Sequence, residues 1–370
     1  MKTRLILLAL ACLLAAAPAT AQVNYAISFP TGTAYVTDSP GASGDIVIAS
    51  TYNGFPVTSI AVQAFSGCTS LTSMTIPNSV NSIGYLTFSG CTSLTSLTIP
   101  NSVTSIGFRP FEGCASLTNL SVDAANPAYS SLDGVLFNKA QTTLITFPPS
   151  RGSYVIPGGV TNIGRSAFFG CMSLTNVTIG NSVTSIGEAA FVSCSNLTSV
   201  IFGNSVTNIG NSAFVFCTSL PSVTIPASVT SIGSQGFLRC STLTNVTFLG
   251  NAPQLLFDLN AGFAQFQNVG AGARAYYYCG ATGWGPTYGG LPTVMLCPPQ
   301  IGPGSAGVKP GGFGFTLTSL TNQNIVVEAS ANLANWQPIW TNPPPPGGSA
   351  DFVDPEWLNH SNRFYRARSD

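Results

Sequence analysis

The chain is 370 residues long, and only 6% of them are charged, against roughly 25% in an ordinary globular protein. Twelve Lys and Arg against twelve Asp and Glu leave no basic excess for phosphate neutralisation, which argues against nucleic-acid binding, and a hydrophobic content of 45% argues against disorder. A single histidine, His360, and few carboxylates leave the usual acids, bases and metal ligands scarce.

Residues 1–21 read as a secretory leader. Lys2 and Arg4 give the positive start, Leu5 to Ala17 the apolar stretch, and Ala19-Thr20-Ala21 the cleavage site, so that Gln22 begins the mature chain. The apolar stretch is shorter than the ~20 residues needed to span a bilayer, and no later stretch is long and apolar enough. The expected location is therefore secreted or at the cell surface, with no transmembrane segment in the mature chain. Residues 22–55 are expected to form an N-terminal β cap.

Internal repetition dominates the chain from about residue 56 onward. Cysteines stand at 68, 91, 114, 171, 194, 217 and 240, separated by steps of 23 with one step of 57. Phenylalanine keeps that step at 65, 88, 111, 168, 191, 214 and 237, and isoleucine at 60, 83, 106, 163, 186, 209 and 232. Such columns predict a solenoid of 23-residue rungs over 56–250, each rung with one short parallel strand. In the rung that starts at Cys91, Leu94, Leu97, Ile99, Val103, Ile106 and Phe111 point inward. A lone rung cannot offset the ordering of its backbone with so few buried side chains, so rungs must stack and be capped. Leu94 to Ile99 has the alternation of a strand, Pro100 ends it, and Gly107 is read as permitting a turn.

The pattern L-x-x-L-x-I-P-x-x-V-x-x-I-G-x-x-A-F-x-x-C resembles the BspA-type class of bacterial leucine-rich repeats, over about Gly54 to Phe248. Asn126 to Phe137, inside the long step, is similar to an insertion typical of that class. Read from its own residues, the insertion (about 122–155) is a β-hairpin built from Val135–Phe137 and Thr142–Phe147. Pro110 and Pro221 depart from the pattern and are expected to perturb the backbone locally without breaking the stack. The resemblance implies non-enzymatic binding or adhesion at a cell surface and transfers no catalytic residue.

Alternation places Ser73, Thr75, Ser96, Thr98, Asn119, Asn176, Thr178, Ser199, Ser222, Thr224, Asn245 and Thr247 on the outer face of the strands. They are the candidate binding residues, suited to a protein or neutral glycan. Arg165 and Glu188 are expected to meet as an exposed ion pair, whereas Arg109, Glu112 and Arg239 read as isolated. No catalytic, metal or cofactor residues can be assembled. The column cysteines are expected as buried thiols, and Cys279 with Cys297 are a candidate disulfide.

The period fails after Phe248. Residues 251–299 are expected to cap the solenoid, 300–312 to be a Pro/Gly linker, and 313–370 to form a small β-sandwich-like domain. Its expected strands are Phe313–Leu317, Ile325–Ala329, Trp336–Trp340 and Arg363–Arg368, with Pro343–Pro346 in a loop. Two rival readings are a β-helix polysaccharide-degrading enzyme, which would need clustered carboxylates, and an envelope component without a ligand.

Overall fold

The computed structural model describes residues 23–256, 264–296, 300–302, 304–318, 324–342, 349–360 and 363–369. The leader segment 1–21, Cys297 and Pro343–Pro346 lie outside the described residues. The chain divides into two units, 1–151 with 166–173 and 152–165 with 174–370.

In the first unit a hairpin of Tyr25–Ser28 and Thr33–Val36 opens the fold. Thr33–Val36 then pairs in parallel with Phe55–Ile60, and Gly44–Val47 in parallel with Leu71–Thr75. The stack of rungs thus begins inside the stretch read as a cap. Ser96–Ile99 and Asn119–Val122 continue it in strict register, Leu97 on Leu120. Each rung also carries a second strand of two residues, Ser82–Ile83 and Ser105–Ile106 here, paired in parallel with its neighbours. Sequence periodicity shows only the first strand, because two residues cannot display alternation.

The insertion is a three-stranded antiparallel meander, not a hairpin. Tyr129–Leu132 pairs with Val135–Asn138, and that strand pairs with Thr143–Thr146. Asn126 fixes its entry: it is buried, its Nδ2 donates to Pro100 O and Val103 O at 2.7 and 2.8 Å, and its Oδ1 accepts from the amides of Ala128 and Tyr129.

In the second unit Ser153–Val155, Asn176–Thr178 and Ser199–Ile201 form one parallel ladder. Ser222–Ile225, Asn245–Phe248, Arg274–Tyr278 and Leu291–Leu296 form another. The break between the two ladders falls where Pro221, with no N–H to give, replaces threonine. As expected, the stack itself is not broken: Asn208–Ile209 still pairs with Ser231–Ile232, and Phe214 stacks between Phe191 and Phe237. The last two strands are further rungs, with Arg274 opposite Asn245 across a step of 29. The two-residue strands at 162–163, 185–186, 208–209, 231–232 and 254–255 stack alongside.

Aromatic columns run through both cores. Phe65, Phe88 and Phe111 stack at 5.7 and 5.4 Å, and Phe147 stands 4.8 Å from Phe168, filling the column beside the insertion. Phe191, Phe214, Phe237 and Phe266 stack at 4.9, 5.0 and 5.1 Å, within 8° of parallel. The column cysteines are buried free thiols. Cys91, Cys114, Cys217 and Cys240 each donate to the carbonyl of the phenylalanine 26 residues earlier, at 3.0 to 3.2 Å.

The residues read as a linker contribute strands instead. Gln300–Ile301 and Gly307–Lys309 pair with Gly312–Thr318, which also pairs with Ser349–Asp354. Ile325–Ser330 lies between Gln337–Asn342 and Phe364–Ser369. Phe315, Leu317, Ile325, Val327 and Phe352 make the shared core of these two antiparallel sheets. Buried Glu328 receives Arg366 Nε at 2.6 Å and Arg368 Nε at 3.0 Å, and these bonds hold its carboxyl below the usual carboxylate range.

Two backbone features set how closely rungs approach. Gly107 donates to Ile83 O at 2.8 Å. A Cβ on it would lie 2.5 Å from Tyr85 N, so the glycine serves close approach and not a left-handed turn. Left-handed backbone occurs two residues further on, at Gln63, Leu86, Arg109, Ala189, Ser212 and Gln235, with φ between 52° and 59°. It recurs before each column cysteine, where Gly67, Gly90, Gly113 and Gly170 give way to Ser193, Phe216 and Arg239. Gly107→Ala is expected to cost about 1–3 kcal/mol through the clash. Ser193→Gly, at φ 60°, is expected to gain about 0.5–1 kcal/mol by removing left-handed strain. Urea denaturation of both variants checks the pair of opposite signs.

Candidate binding face

Parallel register places the outer residues of each strand in columns about 4.8 Å apart. In the first unit Ser73, Thr75, Ser96, Thr98 and Asn119 are exposed. Thr98 Oγ1 and Ser121 Oγ are hydrogen-bonded at 2.8 Å, and Asp45 Oδ1 accepts from Thr72 and Ser73 at 2.9 and 2.7 Å. These bonds lower the Asp45 carboxyl, Ser73 contributing most. In the second unit Asn176, Ser222, Thr224 and Asn245 are exposed, and Thr178, Ser199 and Thr247 are half-buried. Asn176 Nδ2 donates to Thr175 Oγ1 at 2.9 Å. All twelve candidates therefore lie on strand faces, seven of them within this second unit.

The hydroxyls fall into two sets. Threonines at the rung corners are used by the fold. Thr118 donates to Thr95 O, Thr198 to Thr175 O, Thr184 to Thr161 O, Thr207 to Thr184 O and Thr230 to Thr207 O, at 3.0 to 3.3 Å. Each spans one 23-residue step. On the strand face Ser96, Ser222, Thr224, Asn245 and Thr247 make no side-chain hydrogen bond among the described residues. Their polar atoms are held in place by the ladder and left to solvent or a partner.

Register also adds residues that sequence reading assigned to a cap. Arg274 continues the column of Asn245 and Tyr276 that of Thr247, with Tyr278 exposed two residues on. The changed step, 29 instead of 23, conceals them. Val155 and Ile201, 68% and 58% exposed, flank Thr178 in register and break the polar face with apolar side chains.

Two ion pairs lie on the rungs. Arg165 Nη2 meets Glu188 Oε1 at 2.9 Å, both half-exposed, as the spacing predicts. Arg109 and Arg239 are not isolated. Arg109 Nη2 meets Glu112 Oε2 at 2.6 Å and its guanidinium lies 3.6 Å from the centroid of Phe169. The guanidinium of Arg239 covers Phe216 at 5.1 Å. Arg109 and Glu112 pair within one rung, three residues apart, whereas the contacts of Arg109 with Phe169 and of Arg239 with Phe216 are hidden by sequence separation. Cys279 carries a free thiol and its amide donates to Leu296 O at 3.0 Å. Its expected partner, Cys297, is outside the described residues.

Stacked parallel rungs of about 23 residues with a short strand each define a leucine-rich-repeat solenoid. The chain belongs to the BspA type leucine rich repeat region family, whose model matches residues 51–153 and 150–255 in six copies. The family is not generally enzymatic. Three solved structures are similar to it. The pneumococcal vaccine antigen PcpA shares 21% identity, with 62% of this chain and 68% of that chain covered and a TM-score of 0.47. A leucine rich cell surface protein from Faecalibacterium prausnitzii shares 22%, covering 68% and 92%, with a TM-score of 0.40. A leucine rich repeat protein from T. pallidum shares 23%, covering 71% and 86%, with a TM-score of 0.27. A comparison with curated proteins finds no match. Among the described residues no helix is long and apolar enough to cross a membrane.

Burial pushes the Cys68 thiol up to about 11 from its ordinary 9.0. A pKa raised by folding stabilises the protein below the unfolded value and is lost as pH rises through the folded one. Stability is therefore expected to fall between about pH 9 and 11, and the decline to be shallower in Cys68→Ala. Chemical denaturation across that range checks it.

Proposed function

We propose that the chain acts outside the cell by non-enzymatic binding, its strand faces engaging a protein or a neutral glycan through many weak hydrogen bonds. The observation that carries this reading is the division of hydroxyls. Corner threonines are consumed between rungs, whereas Ser222, Thr224, Asn245 and Thr247 stand in register on one face and make no side-chain hydrogen bond among the described residues. The neutral character of the face favours partners recognised by shape and hydrogen bonding over polyanions. Location at a cell surface is supported by the leader-like sequence of residues 1–21 and by family membership. The rival enzymatic reading has little to stand on, since Glu112 and Glu188, the rung glutamates, are each tied to an arginine.

The test is an array of extracellular-matrix proteins and neutral glycans probed with the purified chain. Saturable binding is expected, weakened by about tenfold or more when Thr224→Glu and Asn245→Lys are combined, given that 1.4 kcal/mol is tenfold. Thr230→Ala, at a rung corner, is expected to leave binding unchanged. Silence across the array, or binding indifferent to the face variant, defeats the reading.

A further inference from the structure

The C-terminal sheets hold a site that the repeat does not account for. Phe313 and Tyr365 stack at 5.6 Å and 13°, and Trp357 lies 5.9 Å from Phe313 at 45°. These three rings, with His360 and Arg363, line a cavity of about 290 Å³. His360 and Arg363 also line a second cavity of about 340 Å³, together with Ser330, Asn335 and Gln337. The only histidine of the chain thus stands, with Arg363, in a wall common to both.

Arg363 is held rigidly. Its Nε donates to Asp354 Oδ2 at 2.7 Å, and Asp354 is only 4% exposed. The same carboxylate accepts from Tyr365 OH and from the Glu356 amide, both at 2.9 Å. Burial alone raises the Asp354 carboxyl, but these hydrogen bonds outweigh it and hold the group below its ordinary value. Arg363 Nη1 lies 2.7 Å from His360 Nε2. A guanidinium can only donate, so in this contact the imidazole Nε2 is the acceptor. The buried Asp354 carboxylate offsets the charge of Arg363. What lines the cavities is a guanidinium fixed by Asp354, an imidazole, aromatic faces and the side-chain amides of Asn335 and Gln337. Those two amides make no hydrogen bond among the described residues.

We propose that the two cavities form a binding site for a neutral oligosaccharide. One pyranose lies against Phe313, Trp357 and Tyr365, and the adjoining unit meets Asn335 and Gln337 across the Arg363–His360 wall. Aromatic faces suit the C–H face of a sugar ring, and preoriented donors and acceptors suit its hydroxyls. The offset charge disfavours an anionic ligand. Each cavity is within the size range of small-molecule sites. The site shares no residue with the strand face, so either can fail while the other stands.

Isothermal titration of the full chain with cello-, xylo-, manno- and laminari-hexaose tests the proposal. Saturable binding of at least one is expected. Trp357→Ala is expected to weaken it by about tenfold or more, which is 1.4 kcal/mol, and Asn335→Ala with Gln337→Ala to weaken it several-fold. Thr230→Ala, at a rung corner outside both the strand face and the cavities, is expected to leave it unchanged. Trp357 is outside the Asp354 network, and a thermal melt shows whether its variant is folded; if it is not, the exposed Asn335/Gln337 pair decides. No saturable binding of any hexaose at millimolar concentration overturns the proposal. So does binding that neither variant alters, or tighter binding of oligogalacturonate than of every neutral hexaose.

Discussion

One constraint governs the repeat: successive backbones run parallel at hydrogen-bonding distance, so every side chain stands against its counterpart one step away. At about 4.8 Å between rungs, an aromatic ring fits in the column only if it stacks on an equivalent ring. Phe214 accordingly lies between Phe191 and Phe237 with almost coplanar rings. Replacing one member would strip contacts from two neighbours at once, so the columns are kept by identity and not merely by polarity. The glycine column has its origin in the same spacing, since at Gly107 the chain passes too close to the rung before it for a Cβ. The thiol column does too, its sulfurs donating to carbonyls one rung back.

How much of this is legible in the sequence depends on whether a feature repeats at a fixed step. The inward columns and the first strand of each rung do, and the structure places Leu97 on Leu120 and Val223 on Val246 as the period requires. The two-residue Ser-Ile strands leave no alternation to read. Left-handed backbone at Leu86, Ala189 and Phe216 is hidden because nothing in those side chains signals it. The stack imposes it, each amide finding a carbonyl on the next rung, as Leu86 N does with Phe108 O and Phe216 N with Leu238 O. The last rungs escape periodicity because an altered step moves Phe266 and Tyr276 out of phase while the ladder continues.

The face is legible as composition but not as chemistry. Alternation picks out the outward serines, threonines and asparagines. It does not distinguish the corner hydroxyls, which bridge to carbonyls of the preceding rung, from those on the strands, which do not. That distinction depends on whether an oxygen stands at the bend or on the flat of the rung. In the C-terminal sheets sequence alternation finds most strands, but His360, Arg363 and Trp357 are brought together by the segment between two strands, where no periodicity operates.

The scarcity of charge has the same origin. A residue repeated in every rung faces copies of itself on both sides at about 4.8 Å. Like charges at roughly that separation repel by about 1 kcal/mol even at the dielectric of water, and a column of them would accumulate the cost at every step. A solenoid built by repetition can therefore carry hydroxyls and amides in its columns, whose hydrogen bonds are satisfied in either direction, far more readily than lysines or glutamates. Charge is tolerated where the repeat is broken so that opposite signs become neighbours, as with Arg165 and Glu188 one step apart. A neutral polar face is thus the natural surface of this architecture. The pattern departs from itself at Val155 and Ile201 within the polar columns, and at Arg274 and Tyr276 at their end.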